Sequence, residues 1–250
     1  MKKVFLSVII PAYNEEGNLS DNRFVQMLNW LKKQPFSQEV IIVDDGSTDQ
    51  TAKLVAELIQ PFKFARLIRN RHHGKPYTVK RGILESCGQL VLFSDFDQAT
   101  PISEVKKLIK KARSGFDVVI GSREISGAKR EKEPGYRHLM GLVFNFLVRL
   151  VVFDDFTDTQ CGFKLFSQAS SRAIFKRLYH YDKHKPKHAL VGAFDVEVLY
   201  LAKKLGYKIA EVPVNWRHYK TKRINPLRDS ISMTLEVLAI RFRDALGDYD

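Results

Sequence analysis

The chain has 250 residues, 44% of them hydrophobic and 28% charged, which excludes an intrinsically disordered protein and allows a substantial core. Two cysteines are too few for a disulfide framework, and the apolar run ending at Pro11 is too short for a secretory signal, so we expect a cytosolic protein. The formal net charge of +13 predicts an anionic partner: nucleic acid, anionic lipid or a phosphorylated substrate.

Short apolar runs alternate with helical patterns through the first half of the chain. The predicted strands are Val4–Pro11, Glu39–Asp44, Phe64–Ile68, Leu90–Ser94 and Asp117–Gly121. The predicted helices are Glu15–Lys33, Asp49–Ile59, Pro76–Ser86 and Ile102–Arg113. This order predicts an α/β fold, Rossmann-like, with a mostly parallel central sheet and helices on both faces. Such sheets bind ligands beyond the carboxyl ends of their strands.

Polar clusters follow three of these strands, at residues 12–15, 44–47 and 95–98. Asp95 and Asp97 are the most informative, because two carboxylates at a strand end can both turn toward one metal ion. Mg²⁺ and Mn²⁺ prefer a few carboxylate oxygens together with substrate phosphate oxygens. The position after an apolar strand, more than the bare spacing, predicts a metal site.

The other two clusters allow structural as well as functional interpretations. Ser47 and Gln50 fit a capping box for the helix that follows, and Asn14 fits a helix cap. Pro11 fits a strand end. Asp44 is left as a hydrogen-bond acceptor for a base or a ribose.

The second half changes character at Tyr136. Residues 138–153 are nearly all apolar but shorter than the roughly 20 residues that span a bilayer, which allows a buried core helix or a helix in the membrane interface. A second amphipathic stretch covers 229–246, and a basic loop covers 217–223 between them. Apolar helices beside a basic loop predict a peripheral membrane face without a transmembrane helix.

Several segments together resemble the family 2 glycosyltransferases of the GT-A fold: SVIIPAYNEEGNL, EVIIVDDGSTDQT, FSDFDQATP and VIGSR. In the second half DTQCGFKLF, AFDVEVLYLA and AEVPVNW resemble dolichyl-phosphate and polyprenyl-phosphate β-glucosyltransferases. The resemblance spans essentially the whole chain. It implies one GT-A domain, with a nucleotide-sugar-binding half at 1–122 and an acceptor- and membrane-facing half at 123–250.

The resemblance also implies roles for matching residues. The nucleotide-sugar would be held by Pro11, Tyr13, Glu15, Asp44, Asp95 and Arg223. The metal, Mn²⁺ or Mg²⁺, would be held by Asp97 with Asp95 and Gln98. The group at the reaction centre would be Asp97, Arg123, Arg137 and Asp195, with both arginines on the acceptor phosphate and Asp195 on sugar hydroxyls. Less specific positions near the sugar and acceptor are Asp158, Gln160, Glu197 and Lys222.

Two departures from the family pattern affect these expectations. Relatives often have Gly-Lys-Gly where this chain has Gly74-Lys75-Pro76, so the contact of this loop with the nucleotide is open, although proline suits a first helical turn. Related mannosyltransferases place a metal-binding glutamine two residues after the second aspartate, whereas Gln98 follows Asp97 directly.

The implied reaction is inverting transfer of a hexose, glucose from UDP-glucose in the first place, to a dolichyl or polyprenyl phosphate on the cytosolic face of a membrane. The alternatives are a polyprenyl-phosphate mannosyltransferase, a family 2 enzyme acting on a sugar hydroxyl, and a non-catalytic nucleotide-sugar or membrane-binding module. Nucleic acid is not expected as a partner, because the chain shows no nucleic-acid-binding signature and its basic residues cluster beside apolar helices.

Overall fold

The computed structural model describes residues 3–132, 134–152, 155–178, 193–219 and 226–249, with only the backbone at 136–140, 147, 150 and 226–231. The described residues form a seven-stranded sheet in the order β3-β2-β1-β4-β7-β5-β8, and a separate pair, β6-β9. The strands are β1 Leu6–Ala12, β2 Gln38–Asp44, β3 Ala65–Arg69, β4 Leu90–Ser94, β5 Val118–Ser122, β6 Lys129–Glu131, β7 Phe163–Ser167, β8 Ile209–Pro213 and β9 Asn215–Arg217.

The central sheet is parallel except at β7, which runs antiparallel between β4 and β5. The prediction of a mostly parallel α/β sheet is therefore confirmed, and the five predicted strands are present with small shifts at their ends. Strands β6 to β9 were not predicted. The antiparallel β7 matters for the site, because its first residue, Phe163, pairs with Ser94, the last residue of β4.

Helices cover both faces of the sheet. They are α1 Glu16–Leu19, α2 Arg23–Lys32, α3 Thr51–Ile59, α4 Lys75–Glu85, α5 Val105–Arg113, α6 Gly135–Val151, α7 Gln168–Arg177, α8 Phe194–Lys204 and α9 Pro226–Ala245, with a 3-10 turn at Ile102–Glu104 before α5. The predicted helix Glu15–Lys33 is two helices, interrupted at residues 20–22. The predicted helix after Gly74 is present, with Pro76 in its first turn.

Alternate residues of each central strand enter opposite cores. In β1, Ile9 packs in the cluster shared with α4, α7 and α8, whereas Val8 and Ile10 pack in the cluster shared with α2 and α5. Strand geometry sends successive side chains to opposite faces, so a strand buried on both sides reads as a continuous apolar run. That is why β1, β2, β4 and β5 could be predicted from the sequence.

The two amphipathic stretches of the second half form α6 and α9, which pack against each other. Their inward side chains include Phe144, Val148, Val237 and Ile240, and these are buried. Their outward side chains leave large apolar groups exposed, namely Leu142, Val143, Phe146, Leu235, Leu238 and Phe242, and Leu246 directly after α9 is also exposed. Each helix thus has both a core face and an exposed apolar face. No helix in the described ranges is long and apolar enough to cross a bilayer.

Candidate active site

The predicted site residues gather at one edge of the sheet. Asp44 ends β2, Asp95 follows β4 and Arg123 follows β5, so all three lie at the carboxyl ends of parallel strands. Because β7 runs antiparallel, the segment that enters it, residues 158–162, arrives at the same edge. The topology therefore brings together motifs that are more than 60 residues apart in the chain.

A tight turn carries Asp95 and Asp97. Gln98 has a positive φ of 52°, and the Asp97 carboxylate accepts a hydrogen bond from the backbone N–H of Ala99 at 3.0 Å. The Gln98 amide nitrogen donates to the Asp95 carbonyl at 2.9 Å. Arg23, at the start of α2, donates to the Asp97 carbonyl and stacks on Tyr219 at 3.5 Å. The turn is therefore fixed by side chains from both halves of the chain.

The two aspartates differ in their surroundings. Burial and the negative charge of Asp95 raise the pKa of Asp97 to about 6. Asp95 pairs with Lys75, whose Nζ lies 2.7 Å from Oδ1. Burial alone would lower the pKa of Lys75, but the carboxylates of Asp95, Asp195 and Asp97 raise it to about 12. Two carboxylates compete here for cationic partners, which is the environment expected of a cation site.

The donor set fits Mg²⁺ or Mn²⁺ held jointly by protein and substrate. Within the described part of the chain, no group of three or more His, Cys, Asp and Glu side chains is placed to hold a metal by itself. Two carboxylates, Asp95 and Asp97, match the few protein oxygens that such ions use when phosphates supply the rest. The Oε1 atom of Gln98 is buried and has no hydrogen-bond partner among the described residues.

Gly162 makes room for the Asp95 carboxylate. A Cβ atom at residue 162 would lie 1.9 Å from Oδ2 of Asp95, far inside van der Waals contact. The Asp95 N–H donates to the Gly162 carbonyl at 3.2 Å, which ties the two segments together. Only glycine allows this approach without displacing the carboxylate. The role of the glycine in DTQCGFKLF is thus steric and acts on the predicted metal site.

The loops after β1 and β2 form the predicted nucleoside region. Asp44 is buried; its Oδ2 accepts from the Ser47 N–H at 3.3 Å, and its Oδ1 has no partner among the described residues. Tyr13 stacks on His72 with ring centroids 4.2 Å apart. Asp45 holds the loop before α4, accepting from His72 Nδ1 at 2.8 Å and from the Gly74 N–H at 2.8 Å. An aromatic pair thus stands beside a buried acceptor.

The predicted capping box is wrong. Helix α3 begins at Thr51 after Gln50, whose side chain forms no capping hydrogen bond, and the Asp49 carboxylate accepts from the Thr51 N–H at 2.9 Å. The Ser47 hydroxyl instead accepts from the Asn14 N–H at 2.9 Å, and the Asn14 side chain accepts from the Thr48 N–H at 2.8 Å. The helix-cap interpretation of Asn14 is also wrong, because the residue links the two loops.

Two further predicted residues lie in these loops. Pro11 lies inside β1 opposite Val43 and does not end the strand. The backbone N–H of Glu15 donates to the Thr51 hydroxyl at 2.6 Å, which fixes the loop against the start of α3.

Arg123 and Asp158 form a bidentate ion pair. Nε and Nη2 of Arg123 donate to the two carboxylate oxygens at 2.7 and 2.8 Å, and the Arg123 N–H adds a third bond at 2.9 Å. Burial would raise the pKa of Asp158, but Arg123 holds it below its ordinary value. The guanidinium also lies 5.2 Å from the Trp216 ring centroid. The segment is braced from behind, because Glu211 accepts from the Asp158 N–H at 3.0 Å.

Helix α8 carries Asp195 and Glu197 on its buried side. Asp195 pairs with Lys164 of β7, and burial raises its pKa against the opposing charges of Lys164 and Lys75. Glu197 accepts from the Tyr249 hydroxyl at 2.9 Å, and Arg243 lies 3.8 Å away. Asp195 therefore faces the carboxylate cluster, whereas Glu197 connects α8 to the C-terminal segment.

The remaining predicted residues divide into two groups. The Gln160 amide lies 4.0 Å from the Met233 sulfur of α9. Arg137 is in α6, but its side chain is outside the described atoms, and Lys222 and Arg223 lie outside the described residues altogether. The sequence interpretation missed four residues that hold the site: Arg23, Lys75, Gly162 and Lys164. Of these, Lys75, Gly162 and Lys164 lay inside motifs that had been singled out, whereas Arg23 did not.

The fold and the site define a GT-A glycosyltransferase. A family model described as "Glycosyl transferase family 2" matches residues 7–175, and the chain belongs to this family. The dolichyl-phosphate beta-glucosyltransferase of Dictyostelium discoideum is 38% identical over 98% of this chain and 76% of its own length. The human protein of that name is 34% identical over 97% of this chain and 76% of its own.

Solved structures agree at the level of the fold. Glucosyl-3-phosphoglycerate synthase from Mycobacterium tuberculosis, in complex with Mn²⁺ and UDP-glucose, superposes with a TM-score of 0.64 at 18% identity. The match covers 98% of this chain and 79% of that one. A mycobacterial protein has a TM-score of 0.67 at 19% identity. The predictions of a family 2 enzyme and of a GT-A fold are confirmed.

Proposed function

We propose that this protein transfers glucose from UDP-glucose to a dolichyl or polyprenyl phosphate at a membrane surface, with inversion at the anomeric carbon. The observation that carries the proposal is the cluster of Asp95, Asp97 and Lys75 at the same edge of the sheet as the Arg123–Asp158 pair, in a chain whose relatives are named dolichyl-phosphate beta-glucosyltransferases. The cluster suits a metal-bound diphosphate, and the neighbouring arginine suits a second phosphate.

Donor binding is assigned to the half formed by residues 1–122. Tyr13 would stack on the base beside Asp44, while Pro11 and Glu15 would shape the pocket. Asp44 Oδ1, which has no partner among the described residues, would accept a hydrogen bond from the base. Asp95, Asp97 and Gln98 would hold Mn²⁺ or Mg²⁺, which when bound neutralises charge on the leaving diphosphate. Lys75 adds a fixed positive charge at the same point, and Arg223 would meet phosphate oxygens.

Acceptor binding is assigned to residues 123–250. A phosphate monoester is largely ionised at neutral pH, its second pKa being about 6, so its oxygen attacks without a dedicated general base. Arg123 and Arg137 would bind this phosphate, and Asp195 would accept hydrogen bonds from sugar hydroxyls. The acceptor oxygen forms the new bond to the anomeric carbon as the bond to the diphosphate breaks on the opposite side, giving a β-linked product from an α-linked donor.

The contacts of Asp158 and Glu197 give each of these residues a more specific role in the proposal. Asp158 would orient Arg123 and lower its freedom to move, because it takes the Nε and Nη2 edge of the guanidinium. Glu197 would orient α8 through Tyr249. Gln160 and Lys222 are proposed to lie near the sugar and the acceptor.

Membrane docking is assigned to the outer faces of α6 and α9. Phe146 and Phe242 are 64% and 66% exposed, which is unusual for phenylalanine on a surface that meets only water. Arg149 and Arg241 are exposed on the same helices and would meet anionic headgroups. Each basic residue near such a surface contributes roughly 1 kcal/mol to binding.

Docking is tested by flotation with vesicles that contain anionic lipid. Phe146→Asp should reduce the floating fraction, because it places a charge in the apolar face. The matched control is Gln60→Asp, which adds the same charge at an exposed position directly after α3. Equal flotation of both variants and the wild type would overturn the assignment.

The reaction is tested with labelled UDP-glucose, GDP-mannose and UDP-N-acetylglucosamine, a short polyprenyl phosphate and Mn²⁺. We expect label in the lipid phase from UDP-glucose alone. Transfer from GDP-mannose instead would show that the protein is a mannosyltransferase. Transfer only to sugar hydroxyls would show that the acceptor is not a lipid phosphate.

A further inference from the structure

A lysine is buried in the middle of the central sheet. Lys164 lies in β7, between β4 and β5, and is 1% exposed. Lysine is almost never fully buried, because desolvating its ammonium group is costly unless the charge is paired and hydrogen-bonded. Its Nζ donates to the Asp195 carboxylate and to the Cys161 carbonyl, the latter at 2.7 Å. The sequence pattern of β7, FKLFS, hides this residue among apolar neighbours.

Lys164 contacts two segments of the site at once. Asp195 stands in the first turn of α8, and Cys161 precedes Gly162, the residue against which the Asp95 carboxylate packs. The same ammonium group therefore fixes one carboxylate directly and supports the peptide that accommodates another.

The ion pair with Lys164 fixes the orientation of the Asp195 carboxylate. Lys164 binds its Oδ1 atom, and no hydrogen bond to Oδ2 is formed by any of the described residues. The positive charge of Lys75 also favours the ionised form of Asp195, so two lysines act on this carboxylate. A carboxylate held at one oxygen presents the other in a fixed direction, as recognition of a sugar hydroxyl requires.

Stability alone does not account for the pair. A buried ion pair is often no better for stability than well-packed apolar residues of the same volume, and β7 is otherwise apolar. We propose that Lys164 is a positioning residue that holds the Asp195 carboxylate toward the donor sugar and thereby sets which hexose is accepted. This inference rests on the proposed function, because it assigns the sugar-binding role of Asp195 to that reaction.

The test compares Lys164→Met, which keeps an unbranched side chain of nearly the same length without its charge, with Lys164→Arg. The control is Lys80→Met, which removes a half-buried lysine of α4 that donates to the Leu178 carbonyl at 3.2 Å. Three quantities are measured with Mn²⁺ present: inhibition by UDP, kcat/KM for UDP-glucose, and the ratio of kcat/KM for UDP-glucose to that for UDP-galactose. Hydrolysis of the donor gives these values without any acceptor.

Lys164→Met should lower kcat/KM for UDP-glucose by about tenfold or more, the size of one charged hydrogen bond, and reduce the preference between the two epimers. Inhibition by UDP, which has no sugar, should stay at the wild-type value, and Lys164→Arg should recover part of the preference. Wild-type behaviour of Lys164→Met, or a parallel loss of UDP inhibition, would overturn the proposal.

A second comparison distinguishes the loss of this positioning role from a folding defect. Asp195→Asn keeps the shape of the side chain and should give the same sugar-specific loss, with Lys164→Met adding little in the double variant. Additive losses would contradict the proposal. If the wild type hydrolyses UDP-glucose but transfers nothing to polyprenyl phosphate, the proposed acceptor fails while the positioning role of Lys164 is still measured.

Discussion

The two halves of the molecule treat their buried polar groups differently. In residues 1–122, four buried side-chain atoms have no hydrogen-bond partner among the described residues: Asp44 Oδ1, Asn70 Nδ2, His73 Nδ1 and Gln98 Oε1. Where the structure describes residues 123–250, buried charges are paired within the protein, as in Arg123–Asp158 and Lys164–Asp195. Unpartnered buried polar atoms are rare in folded proteins and often mark functional sites.

The two halves therefore have different roles in the proposed reaction. The first half offers groups that a ligand would complete, in keeping with a nucleotide-sugar that binds and leaves in each cycle. The second half holds its charged side chains in fixed orientations, in keeping with a preorganised surface for an acceptor and a sugar.

Asp97→Asn should have the largest effect on transfer. The change removes the charge of the carboxylate and keeps its shape, so we expect kcat to fall by about a hundredfold or more, as for the loss of a group that stabilises charge in the transition state. Transfer of labelled glucose to lipid measures this. Asp248→Asn, which neutralises an exposed carboxylate, is the matched control. Equal activity of the two variants would remove Asp97 from the site.

Gly162→Ala should disrupt the carboxylate pair from the other half of the chain. The added Cβ would lie 1.9 Å from Oδ2 of Asp95, so the carboxylate must move. We expect Mn²⁺ affinity to fall by about tenfold or more, as when a group that orients a metal ligand is lost. Electron paramagnetic resonance of free Mn²⁺ reports the affinity. Gly17→Ala, whose Cβ meets nothing within 4 Å, should bind normally.

Arg123→Lys should weaken the acceptor side selectively. Lysine cannot reproduce the bidentate pairing with Asp158, so the buried carboxylate loses part of its compensation. We expect KM for polyprenyl phosphate to rise by about tenfold while KM for UDP-glucose is unchanged. A rise in both KM values would show that the two halves are not separable in this way.

Metal affinity should depend on pH through Asp97. Its pKa of about 6 lies above the ordinary value, so the carboxylate takes up a proton as the pH falls through about 6. Protons then compete with the cation, and apparent Mn²⁺ affinity should fall by up to about tenfold per pH unit below that point. Calorimetric titrations with Mn²⁺ at pH values between 5 and 7.5 measure this dependence. Histidine side chains titrate in roughly the same pH range. A flat profile would contradict the raised pKa.

The sequence predicted the first half better than the second for a physical reason. Strands β1, β2, β4 and β5 are buried on both faces and appear as apolar runs, whereas the apolar run of β7 is interrupted by Lys164. Helix α8 is buried on nearly every side, so FDVEVLYLAKK shows little helical periodicity. Strands β6 and β9 have three residues each, too few for any pattern.

The residues of the site also differ in whether the sequence predicted them. Asp95 and Asp97 were predicted because they directly follow an apolar strand, which local pattern reveals. Lys75 and Lys164 act through partners 20 and 31 residues away, and such contacts exist only after the sheet has formed. The steric role of Gly162 likewise depends on β7 running antiparallel beside β4. Local sequence could not distinguish these residues from ordinary core or loop positions.

The most direct test of the account is the identity of the product formed from UDP-glucose, Mn²⁺ and a short polyprenyl phosphate. The account predicts a lipid-phase glucosyl phosphate whose anomeric proton has the large coupling of a β linkage, formed by the wild type and lost in Asp97→Asn. A product with an α linkage, or glucose that stays in the aqueous phase while UDP is released, would contradict it.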